Sequence, residues 1–179
     1  MFSLPPRCGR PNEARRPGHT DSPHASRPCS AAADAELGNN AQLGLRLGLH
    51  ADGRFGEQDL GFIGPAAANG TLDALAAAAT AALAKAIVVV PGDGRVLRRV
   101  AWCTGGAQGY FEPAIAAGAD AFITGEISEP QAHLARETGV AFLACGHHAT
   151  ERFGAAAVAA HVAAELGLEH LHIEIANPA

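Results

Sequence analysis

A chain of 179 residues with 48% hydrophobic and only 17% charged residues is long enough for one packed domain and too apolar for a disordered polypeptide. Its formal net charge of −5 excludes general nucleic-acid binding, which needs a basic face to displace counterions. The most apolar stretch, residues 74–90, is mostly alanine and is broken by Lys85, so it makes a poor membrane span.

In chain order, the opening "MFSLPPRCGRPNEARRPGHTDSPHASRPCS" is rich in proline and arginine, lacks periodicity and holds almost no large apolar residues. Residues 1–33 read as a disordered or aberrant leader. The prolines argue against the amphipathic helix of a transit peptide, and the absence of a continuous apolar core argues against a secretory signal. Cys8, His19, His24 and Cys29 match no zinc-finger spacing and read as incidental.

The texture of a folded domain begins at Asp34. "GNNAQLGLRLGL" predicts a short helix with an asparagine cap, and "DLGFIGP" a brief strand or loop. "TLDALAAAATAALAKA" predicts a helix capped by Thr71, and the β-branched run "IVVVPG" a buried strand. Strands are expected at "LRRVAWC", "DAFITG" and "VAFLACG", alternating with helices at "YFEPAIAAG", "SEPQAHLARETG" and "TERFGAAAVAAHVAAELG". A last strand is expected at "LHIEIANP". This alternation predicts an α/β fold, a layered sheet with helices packed on it, over residues 34–179. Cys103 and Cys145 fall at strand ends with no CxxC pattern, as free buried thiols of a cytosolic protein do.

In an α/β sheet, ligands gather where strands end and helices begin. Three such junctions carry chemistry: "CTGGAQG", "ITGEISEP" and "CGHHATE". The first offers Thr104 and the bare amides of Gly105 and Gly106 to an anion, or serves only as a tight turn. The second supplies Glu126, a candidate metal or base carboxylate, and Glu129, which a helix start alone explains. In the third, His147 and Glu151 stand one helical turn apart and face the same space, while His148 points elsewhere. Imidazole and carboxylate suit a divalent metal, yet the same spacing also gives a plain hydrogen bond, and a tight site needs three or more ligands.

"GNNAQL", "VAWCTGGAQGYFEPAIAAGADAFITGEISEPQAHLARE", "GHHATERFG" and the terminal "IANPA" resemble, in order, the Nif-three-like family. Its members are also called dinuclear metal-centre hexameric proteins and GTP cyclohydrolase 1 type 2 homologues. The resemblance runs from about Asp34 to Ala179. It implies an α/β fold, a toroidal homo-hexamer and two divalent metal cations per subunit, with His147 and Glu151 as metal ligands. Two departures stand out. No paired-histidine HHG motif precedes residue 147, since His19, His24 and His50 are isolated. The aspartate ligand of the family's LDAH-type motif falls at Ala32, with Asp34 where the family has histidine. The chain is therefore expected to be the C-terminal portion of such a protein, with an incomplete metal site. The expected function is a cytoplasmic, ring-forming, divalent-metal-binding protein that contacts neither nucleic acid nor membrane. The alternatives are a metal-dependent hydrolase of GTP cyclohydrolase type or an inactive fragment. In the hydrolase, Glu126 would be the acid/base and the "TGGAQG" loop would face a small nucleotide substrate.

Overall fold

The computed structural model describes residues 34–67, 70–175 and 177, so the reading of residues 1–33 lies outside it. Leu43 and Leu47, one turn apart, give helix α1 (Asn39–Leu47) its buried face. Strands β1 (Gly53–Phe55) and β2 (Gly61–Pro65) follow as an antiparallel pair. Helix α2 (Leu72–Leu83) starts where expected, with the Thr71 hydroxyl accepting from the Ala74 amide at 3.2 Å. Then come β3 (Val88–Val90), β4 (Arg99–Trp102), α3 (Phe111–Ala116), β5 (Ala121–Thr124), α4 (Glu129–Thr138), β6 (Ala141–Ala144) and α5 (His147–Leu166).

The strands make one mixed sheet in the order β1-β2-β4-β5-β6-β3. Its centre, β4-β5-β6, is parallel; the β1–β2, β2–β4 and β3–β6 contacts are antiparallel. Every residue of β5 and β6 is buried, as expected for parallel strands covered on both faces. Alternation along the strands assigns the side chains to two layers. Val100, Trp102, Ile123 and Leu143 meet Leu43 of α1, Leu75 and Ala79 of α2, and Ala149 of α5. Ala101, Phe122 and Phe142 meet Phe111 and Ala114 of α3 and Ala135 of α4. In the second layer, Phe111 and Phe142 pack edge to face with ring centroids 4.9 Å apart, and Phe122 and Phe142 do so at 5.6 Å. Each such pair contributes about 0.5–1.5 kcal/mol beyond its buried area. This packing fixes the ends of β5 and β6, from which the site is built.

Five sequence expectations need correction. Strand β3, expected to be buried, is an edge strand with Val88 exposed and only Val90 buried. Residue 38, a glycine, occupies the α1 cap position, and the Asn39 side chain instead accepts from the Gly154 amide at 2.8 Å. Strand β1 was not foreseen, because three residues are too few to show a period. Helix α5 begins at His147, one turn before the expected Thr150, so both histidines lie in its first turn. The expected last strand does not form over residues 171–175. Alternation alone does not make a strand; a neighbouring edge must accept its hydrogen bonds, and none lies alongside among the described residues. No helix among the described residues is long and apolar enough to cross a membrane.

Candidate metal centre

Strands β4, β5 and β6 each run into a glycine, and the three glycines lie side by side. The Gly125 amide donates to the Gly105 carbonyl at 2.9 Å, and the Gly146 amide donates to the Gly125 carbonyl at 2.8 Å. Backbone pairing thus continues past the strand ends, one residue beyond β5, two beyond β6 and three beyond β4, and forms a floor under the first turn of α5. Side chains are excluded there by contact. A Cβ at Gly125 would lie 2.6 Å from the Gly105 carbonyl oxygen and 2.7 Å from the His147 Cα. A Cβ at Gly105, whose φ is +72°, would lie 2.3 Å from a Glu151 carboxylate oxygen and 3.2 Å from His147 Nε2.

On this floor the three expected residues meet. His147 Nδ1 lies 2.6 Å from Glu126 Oε1, and His147 Nε2 lies 3.1 Å from Glu151 Oε2. One imidazole therefore bridges two carboxylates. The Glu126 hydrogen bond holds the His147 pKa above the ordinary imidazole value; partial burial opposes the shift, and the Glu151 charge adds to it. The same bond lowers the Glu126 pKa below the usual carboxylate value. The Gln108 side-chain amide donates to the other Glu126 oxygen at 3.4 Å. Glu129 stands apart, its carboxylate 3.8 Å from His133 on its own helix.

The glycine-rich turn is not an open amide nest. The Thr104 amide donates to the Asn40 side chain at 2.7 Å, and the Gly105 amide donates to the Thr150 hydroxyl at 3.0 Å. Of the two glycine amides expected for an anion, that of Gly105 is thus already engaged, while the buried Thr104 hydroxyl has no hydrogen-bond partner among the described residues. Asn40 is fully buried, its carbonyl accepts from the Trp102 indole at 2.8 Å, and its side-chain amide donates to the Leu60 carbonyl at 2.7 Å. Together Asn39 and Asn40 tie α1 to the turn after β4 and to α5. Their part in the site was missed, because nothing local in "GNN" announces partners so far along the chain.

His148 points away, as expected. Its Nε2 lies 3.3 Å from Glu174 Oε1, which also accepts from Arg152 at 3.2 Å, while His172 Nε2 lies 3.2 Å from Glu174 Oε2. Cys103 and Cys145 are buried thiols outside any disulfide, and burial pushes the Cys145 thiol up to about 12.

The profile of Duf34/NIF3 (NGG1p interacting factor 3) matches residues 31–178. The chain belongs to the Duf34/NIF3 family. Among curated Duf34/NIF3 relatives, a GTP cyclohydrolase 1 type 2 homolog from Neisseria meningitidis serogroup B is 53% identical over 143 residues, covering 80% of this chain and 57% of the relative. One of the same description from Escherichia coli K12 is 42% identical over 154 residues, covering 82% of this chain and 59% of the relative. The chain thus spans less than two thirds of the length of these relatives. A solved structure of the protein ybgI superposes with a TM-score of 0.79 at 40% identity, covering 84% of this chain and 61% of that one. TTHA1606 from Thermus thermophilus superposes with a TM-score of 0.70 at 26% identity, covering 83% and 59%.

Proposed function

We propose that this Duf34/NIF3 chain is a cytoplasmic, divalent-metal-binding protein that works as a homo-oligomeric ring, with His147 and Glu151 as its metal ligands. The observation that carries the reading is the bridging imidazole. Glu126 holds the Nδ1 proton, so Nε2 is turned toward Glu151, and Gly105 keeps a side chain out of the space where they meet. Below the raised His147 pKa a proton on Nε2 lies between imidazole and carboxylate, and a cation of zinc type would replace it.

The fit is partial. Among the described residues no group of three His, Cys, Asp or Glu side chains stands close enough to hold an ion. Two donors leave most of the ion's water shell in place, so affinity is expected to be weak. A bound divalent ion would supply Lewis acidity and a more acidic water.

The name carried by the relatives, GTP cyclohydrolase 1 type 2 homolog, favours a second reading: a metal-dependent hydrolase acting on a small nucleotide. Glu126 would then serve as its acid/base. Its engagement with His147 Nδ1 favours an orienting role instead.

Elemental analysis after loading with zinc or manganese and dialysis tests the metal reading. The expected result is clearly less than one metal per chain, lost altogether in His147→Ala and Glu151→Ala. Retention unchanged in both variants would remove these residues as ligands. Two tightly held metals in the wild type would refute the partial site.

A further inference from the structure

Two ties hold the first turn of α5 to the glycine floor, and His147 stands between them. The first is the backbone bond from the Gly146 amide to the Gly125 carbonyl, at 2.8 Å. Gly146 caps the helix with a φ of +91° and has no side chain, so this bond alone leaves the turn free to pivot. The second tie comes from Thr150, one turn later and fully buried. Its hydroxyl lies 3.0 Å from the Gly146 carbonyl oxygen and 2.9 Å from that of His147, so its proton goes to its own helix. The same oxygen then accepts from the Gly105 amide at 3.0 Å, 45 positions away in sequence.

A threonine that bonds back into its own helix often does nothing more, and slightly weakens the helix. Thr150 differs in what its oxygen holds on the other side. Gly105 faces the gap between His147 Nε2 and the Glu151 carboxylate, and its carbonyl accepts from the Gly125 amide at 2.9 Å. The residue after Gly125 is Glu126, which meets His147 Nδ1. Two hydrogen bonds in series thus set the turn that carries His147 and Glu151 against the strand end that carries Glu126. With Gly146 as one fixed point and Thr150 as the other, the turn can no longer pivot.

We propose that Thr150 is a positioning residue, whose hydroxyl fixes the tilt of the α5 turn so that His147 Nδ1 meets Glu126 and Nε2 meets Glu151. The inference rests on the metal reading of His147 and Glu151 and adds the residue that aims them.

Thr150→Val removes the hydroxyl and keeps the shape, while Thr150→Ser keeps the hydroxyl. In the metal-free full chain, nitrogen-15 NMR at a pH where the ring is neutral reads which nitrogen of His147 carries the proton. Wild type and Thr150→Ser should hold it on Nδ1, and Thr150→Val should spread it over both nitrogens. Thr124→Val is the control. It removes the other buried hydroxyl on Gly105, which donates to the Gly105 carbonyl at 3.1 Å, and leaves α5 untouched. It should lower stability to urea without moving the proton. Should Thr150→Val not fold, Thr150→Cys, a weak hydrogen-bonding group of similar size, makes the same comparison. A Thr150→Val spectrum like that of the wild type, or an equal change in Thr124→Val, would overturn the proposal. In a calorimetric titration, zinc binding should weaken about tenfold in Thr150→Val and recover in Thr150→Ser. A wild type that binds no zinc, with the proton moving as expected among the variants, would remove the metal reading and still uphold Thr150 as the residue that aims His147.

Discussion

Two adjacent histidines in the first turn of α5 meet carboxylates in opposite ways. His147 lies between two carboxylates, Glu126 and Glu151, over a glycine floor shaped by three parallel strands. His148 shares one carboxylate, Glu174, with Arg152 and His172, and that carboxylate sits on a segment that makes no backbone hydrogen bond to the other described residues. The difference lies in charge balance and support rather than in the residue types. An excess of carboxylate around one imidazole invites a cation. A carboxylate already answered by a guanidinium and two imidazoles does not, and it serves as an anchor.

Removing the floor should separate the two ends most. In Gly125→Ala the added methyl collides with backbone on two sides, so destabilisation of about 3 kcal/mol or more is expected by urea unfolding. A stability within about 0.5 kcal/mol of wild type would show that the floor yields easily.

The carboxylate that orients His147 should matter next. Glu126→Gln keeps an acceptor for Nδ1–H but loses the charge, and should weaken zinc binding by about 10–100-fold in a calorimetric titration. Glu174→Gln should leave it unchanged; equal losses in both would erase the distinction between the two histidines.

A smaller effect follows from pH. The raised pKa of His147 means that a proton competes with the metal to a higher pH than at a free imidazole. Metal affinity should therefore climb with pH until that raised value is passed, then level off. For the metal-free fold, His147 contributes stability that is fully present below its unfolded pKa and lost as pH rises through the folded value. Glu126, lowered, contributes stability present above its unfolded pKa and lost as pH falls through the folded one. The pair thus acts in the window where the carboxylate is ionised and the imidazole protonated. In an NMR titration the His147 midpoint should drop in Glu126→Gln; an unmoved midpoint would place the cause of the shift elsewhere.

The smallest expected change is at the other end. Arg152→Ala should speed amide exchange over residues 169–175 without altering zinc affinity. Unchanged exchange would mean that Glu174 does not hold the segment.

What the sequence revealed follows the same divide between local and distant. The i, i+4 spacing of His147 and Glu151 is a property of one helix, and Glu126 stood out by preceding the cap of the next helix, so all three were legible. The layered α/β fold was legible because strands and helices alternate between short glycine turns. Asn39 and Asn40 were not, since their bonds to Gly154 and Thr104 depend on the finished fold. "LHIEIANP" misled for the converse reason: a period of two states what a segment can do, while the available neighbour decides what it does.

The bond from Asn39 to the Gly154 amide spans 115 positions of sequence. At a ribosomal rate of 5–20 residues per second, Asn39 leaves the peptidyl-transferase centre on the order of ten seconds before its acceptor's partner is made. Until then α1 can close only against α2 and strands β2 and β4, and the side that meets α5 stays uncovered. The histidine-bearing turn likewise follows all six strands in chain order. A metal held by His147 and Glu151 would therefore be acquired only after every strand of the sheet has been made.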